Sequence, residues 1–105
     1  MPYTNIAKRR VLERDIEAKV VKWAKDKGIK VKKKLPGEQL DRWFMLPGGR
    51  PFIIEFKVPG KKPTPLQQAE IDALMRLGYQ VRWFDDADEA IKELADAAWL
   101  VGLHV

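Results

Sequence analysis

The sequence predicts a single α/β domain with a mixed central sheet, and three observations carry that reading. Apolar residues recur at helical spacing in three stretches. Between them lie short alternating or aromatic and β-branched runs that read as four strands. The fourth strand follows a helix, and a strand reached through a crossover helix lies parallel to a neighbour, whereas the first three are joined by short turns. A chain of 105 residues with 46% hydrophobic content supports one core and is short for two.

Taken in order, the elements read αβββαβ(α). Residues 1–10 are polar, end in Lys8, Arg9 and Arg10, and are expected to be flexible. Leu12, Ile16, Val20 and Trp23 then repeat at helical spacing until Gly28, which predicts a helix over 11–27. Residues 29–34, Ile-Lys-Val-Lys-Lys-Lys, alternate as a short strand with a basic outer face. Pro36 and Gly37 break it. The runs 42–46 and 51–58 flank Pro47-Gly48-Gly49-Arg50, the signature of a tight antiparallel hairpin. After a basic turn from Pro59 to Pro63, Thr64-Pro65 opens a helix whose apolar positions are Leu66, Ala69, Ala73, Leu74 and Leu77. Gly78 closes it, residues 79–84 form the last strand, and Asp85-Asp86 offer caps to a helix with Ile91, Leu94, Ala95 and Ala98 on its apolar side, fading near Leu100.

Composition narrows the chemistry. Without cysteine the chain has no disulfide and no thiolate zinc site, and its one histidine, His104, has no partner. A metal ion would have to be held by oxygens. Twenty Lys and Arg against 15 Asp and Glu give a formal charge of +5, which favours a polyanionic partner such as nucleic acid. No apolar run approaches the roughly 18 residues of a membrane span, and no signal-peptide core follows the charged start, so an intracellular soluble protein is expected.

The run Ile53-Ile54-Glu55-Phe56-Lys57-Val58 sets two charges into an apolar strand. Alternation puts Glu55 and Lys57 on one face and Ile54, Phe56 and Val58 on the other. Asp41 opens the preceding strand, and the hairpin folds that strand back so that the two carboxylates converge at one end. Two carboxylates suit a hard divalent cation, which keeps its other positions for water and phosphate oxygens. With such an ion, Lys57 would hold the attacking water and offset developing negative charge. A Glu-x-Lys pair alone also describes an ion pair on a solvated strand face.

The combination of Leu40-Asp41-Arg42, Leu46-Pro47-Gly48-Gly49-Arg50, Ile54-Glu55-Phe56-Lys57 with Pro59-Gly60, Thr64-Pro65-Leu66-Gln67 and Leu77-Gly78-Tyr79-Gln80-Val81 resembles the VRR-NUC family of the PD-(D/E)XK nuclease superfamily. The likeness runs from Leu40 to Gly78 and beyond and implies a restriction-endonuclease-like fold over 1–105. It implies Asp41 and Glu55 as ligands of Mg²⁺ or Mn²⁺, the Phe56 carbonyl as a further ligand, and Lys57 as the catalytic lysine. Glu17 would be the family's helix glutamate, reaching the metal directly or through water; it equally reads as a surface Glu paired with nearby Lys. Gln67 matches the family's glutamine beside the catalytic strand, and it also completes a capping box with Thr64. Where the family has Pro before its aspartate this chain has Leu40, which alters the turn but leaves the carboxylate.

The resemblance further implies a homodimer that cuts branched DNA such as four-way junctions, in the cytoplasm of a bacterial or phage-infected cell. Lys61 and Lys62, Lys32, Lys33 and Lys34, and Arg9 and Arg10 are the expected phosphate contacts, binding backbone without reading bases. The lysine runs also suit a solvated face. Trp43, Trp83 and Trp99 read as core or interface, and the tail from Ala97 to Leu103 is a candidate dimer surface. Two other readings stay open: a non-catalytic DNA-binding module on the same fold, and a sequence-specific restriction-type enzyme.

Overall fold

The computed structural model describes residues 11–98. Lys8, Arg9, Arg10, Trp99, the tail to Leu103 and His104 lie outside the described residues, as does the expectation of a flexible start.

The described elements are α1 (Glu13–Asp26), β1 (Lys30–Lys33), β2 (Arg42–Leu46), β3 (Arg50–Phe56), α2 (Pro65–Arg76), β4 (Gln80–Phe84) and α3 (Ala87–Ala98). This is the order the sequence predicts, in a single α/β domain. The sheet runs β1-β2-β3-β4, with the first two pairings antiparallel and β3 parallel to β4. The hairpin closes on Leu46 opposite Arg50, leaving Pro47, Gly48 and Gly49 as the loop. Both glycines sit at positive φ, +85° and +71°, a conformation that a side chain disfavours and that the Gly-Gly pair supplies without strain. Strand β3 stops at Phe56, two residues short of the expected end, although the Lys57 amide still donates to the Phe84 carbonyl at 2.9 Å.

Alternation along β3 divides the core into two unequal layers. Phe52, Ile54 and Phe56 join Phe44, Leu46 and Phe84 beneath Ile16, Val20, Val21 and Ala24 of α1 and Ala90, Leu94, Ala97 and Ala98 of α3. Phe44 and Phe56 meet edge to face with ring centroids 6.4 Å apart. On the opposite face, Leu40, Ile53, Ile71 and Val81 form a smaller cluster edged by Trp43, Leu74 and Trp83. The reading of Trp43 and Trp83 as core-associated therefore fits their positions.

The expected apolar stripe of α2 is corrected here. Leu66 and Leu77 are 65% and 74% exposed, while Ile71 is the residue buried under the helix. Among the described residues α2 alone covers this face of the sheet, so a position on it counts as core only where it points at β3 and β4, and Leu66 and Leu77 point away. Asp86 caps α3 as its position suggests, accepting from the Glu89 amide at 2.9 Å.

Candidate active site

Three carboxylates come together where α1 begins and β3 ends. One oxygen each from Glu13, Asp41 and Glu55 lies within 4.8 Å of the others. Glu55 is carried by the central strand β3 and is 1% exposed. Asp41 precedes β2, and its Oδ2 accepts the Phe56 amide at 2.8 Å, which ties the start of one strand to the end of the next. Glu13 is the first residue of α1, where the positive end of the helix dipole offsets some of the gathered negative charge.

Around Glu55 the pairing is uneven. Its Oε2 lies 3.4 Å from the Lys57 ammonium and accepts from the Gln67 side-chain amide at 3.0 Å. Its Oε1 is buried with no partner among the described residues. An unpaired carboxylate oxygen in the interior is costly unless something cationic meets it. Burial, and then the charge of Asp41, push the Glu55 carboxyl from its ordinary 4.5 up to about 7, with Lys57 acting against them. Burial and Asp41 likewise raise Glu13. Such crowding fits a set of oxygen donors for a hard divalent cation, because the ion offsets both the cost of burying these charges and their mutual repulsion.

Gln67 performs both of the jobs its position suggests. Its Oε1 accepts the Thr64 backbone amide at 2.9 Å and its backbone amide donates to Thr64 Oγ1 at 3.2 Å, a complete capping box, while its Nε2 holds Glu55. Thr64→Ala is expected to cost about 1 kcal/mol in urea unfolding, with Thr64→Ser close to the parent.

Glu17 is elsewhere. One turn along α1 from Glu13, it pairs with Arg42 Nε, both side chains being mostly buried. The helix glutamate that joins Asp41 and Glu55 is Glu13, which the sequence reading missed. The two are four residues apart and share a helix face, so spacing alone marks both, and only the placement of α1 against the sheet separates them. Lys32 also departs from its neighbours. Its ammonium pairs with Glu38 at 2.8 Å and lies 5.2 Å from the centre of the Trp43 ring, on the face opposite Lys33. Lys61 and Lys62 are exposed in the turn after Lys57, near the carboxylates in sequence.

A mixed sheet carrying carboxylates and a lysine at the exit of its central strand is a restriction-endonuclease-like arrangement. A solved structure described as "VRR_NUC domain" has this fold, with a TM-score of 0.70 at 22% identity, covering 80% of this chain and 94% of its own. No family model matches the chain. A curated protein of Acyrthosiphon pisum secondary endosymbiont phage 1, titled "Putative nuclease p44", is 43% identical over 63 residues, which span 58% of this chain and 68% of the phage protein. The chain belongs to the same family as this phage protein, and its fold is that of the VRR_NUC domain.

Proposed function

We propose that the chain is a divalent-metal-dependent endodeoxyribonuclease of the PD-(D/E)XK type, acting on branched DNA such as four-way junctions. The observation that carries this reading is the buried Glu55 Oε1, without a partner among the described residues, in a residue of a three-carboxylate group that has a lysine beside it.

In this reading Asp41, Glu55 and Glu13 hold Mg²⁺ or Mn²⁺. The Phe56 carbonyl adds a ligand on the edge of β3 where its amide already meets Asp41, since N–H and C=O of one strand residue point to the same side. The ion, when bound, supplies Lewis acidity toward the phosphate and a lowered pKa for water. The chain's own groups do the rest. Lys57 positions the attacking water by donating to it and offsets charge that builds on the phosphoryl oxygens. Gln67 fixes the rotamer of Glu55 through Oε2, which leaves Oε1 without a partner among the described residues. Lys61 and Lys62 meet the DNA backbone beside the site.

A homodimer belongs to this reading, since two-fold symmetry presents two sites to two strands of a junction. The exposed Leu66, Met75, Leu77 and Tyr79 offer apolar surface for such contact. The cytoplasm of a bacterial or phage-infected cell is the proposed location, and no described helix is long and apolar enough to cross a membrane.

A gel assay on a labelled four-way junction, a flap and linear duplex, each with Mg²⁺, Mn²⁺ or EDTA, tests it. Metal-dependent cuts confined to branched substrates are expected. Binding without cleavage under every condition would identify a non-catalytic DNA-binding module, and discrete cuts in linear duplex would identify a restriction-type enzyme.

A further inference from the structure

Beside the carboxylates, on the side of Asp41 turned toward β1, lies a recess of about 350 Å³ lined by Glu17, Lys33, Lys34, Asp41 and Arg42. Three of its five residues are cations. Lys33 and Arg42 stand directly opposite each other in the β1–β2 register, on the sheet face that carries α1. Like charges so placed repel, and the two carboxylates that line the recess, Glu17 and Asp41, leave one cation in excess. Glu17 answers only part of this charge. It takes Arg42 through Nε, and among the described residues the two terminal amino groups of that guanidinium have no partner. Neither Lys33 nor Lys34 makes an ion pair among the described residues, in contrast to Lys32 with Glu38. The Glu17 contact also holds the Arg42 fork in place, and a planar guanidinium with free amino groups is shaped for two oxygens of one tetrahedral anion.

We propose that this recess binds a backbone phosphate of the substrate strand, the one adjacent to the phosphate that is cleaved. The step from an anion to that particular phosphate rests on the nuclease reading, because Asp41 lines the recess and belongs to the carboxylate group as well. A strand that places one phosphate at the carboxylates brings its neighbour over Lys33, Lys34 and Arg42. The recess then sets the register of the strand without reading its bases. The lysines of this run also differ in what they do. Lys33 and Lys34 hold the strand, while Lys32, folded onto Trp43 and Glu38, is occupied on the opposite face.

The test has two arms. In EDTA, binding of a fluorescein-labelled four-way junction is followed by anisotropy across a salt series for the parent, for Lys33→Gln/Lys34→Gln, and for Lys92→Gln as a control on α3. The double variant is expected to bind about tenfold more weakly at about 0.1 M salt, with a salt slope shallower by about 1, and the control to match the parent. Equal slopes and affinities for the double variant and the parent would overturn the recess as a phosphate site. In the second arm, the cut position is mapped in Mg²⁺ and single methylphosphonates replace each flanking phosphate. One replacement is expected to slow the parent about tenfold and to slow the double variant no further. Losses that simply multiply would overturn the proposed pairing of recess and phosphate. Absence of cleavage by the parent, with the slope change still seen, would refute the nuclease reading and leave the recess as a phosphate site.

Discussion

Lys57→Ala is expected to lower cleavage by a factor of about 10² to 10³ while leaving fold and DNA affinity near those of the parent. The side chain is mostly buried, and its described partner is the Glu55 carboxylate rather than the core. The substitution takes away a cation beside the place where negative charge grows in the transition state. It also removes the group that acts against the raised pKa of Glu55, so the carboxyl is expected to hold its proton to a higher pH. The residual activity should then show an acidic limb displaced upward in a pH–rate profile. Arg at this position keeps the charge but not the shape, and is expected to recover the pH profile more than the rate. Single-turnover cleavage of the junction checks this, and an alanine variant that cuts at the parent rate would remove Lys57 from the mechanism.

The second large effect is expected from Glu55→Gln, and it changes sign with conditions. The folded-state pKa of Glu55, about 7, lies above its ordinary 4.5, so the native state binds this proton more tightly than the unfolded chain does. Stability is therefore lost as pH rises from about 4.5 to about 7, and the whole penalty applies above that range. A shift of this size corresponds to something on the order of 3 kcal/mol. Glutamine keeps the shape and carries no charge. In EDTA at about pH 8 the variant is expected to melt at a higher temperature than the parent, with the gap closing toward about pH 4.5. Adding Mg²⁺ or Mn²⁺ should raise the parent's melting temperature and leave the variant's almost unchanged, while cleavage by the variant is lost. Thermal melts at about pH 5 and about pH 8, with EDTA or metal, give all four comparisons. A variant less stable than the parent in EDTA at the higher pH would mean that the carboxylate is satisfied in some other way.

Much of this site is legible in the sequence because its supports are local. The Gly48-Gly49 hairpin forces β2 back along β3, and that alone carries Asp41 to the end of β3 where Glu55 stands. Strand alternation places Glu55 and Lys57 together. Thr64-Pro65 announces the helix start that delivers Gln67. What stayed hidden depends on how elements pack against one another. Glu13 and Glu17 are equivalent on a helix considered alone, and the position of α1 along the sheet decides which meets Asp41 and which meets Arg42. Leu66 and Leu77 satisfy a helical apolar pattern, yet among the described residues no further layer lies over α2 to bury them. The recess at Lys33 and Arg42 needs the strand register, which sequence alternation does not reveal.

The double engagement of Gln67 joins events that would otherwise be independent. One amide side chain both closes the first turn of α2 and grips a carboxylate on β3, so that turn cannot fray without letting Glu55 go. Whatever steadies the carboxylate therefore slows hydrogen exchange at the Gln67 and Gln68 amides, and whatever loosens the turn blurs the position of Glu55. The opening of a helix end and the precision of a reactive centre become, in this small domain, a single local equilibrium.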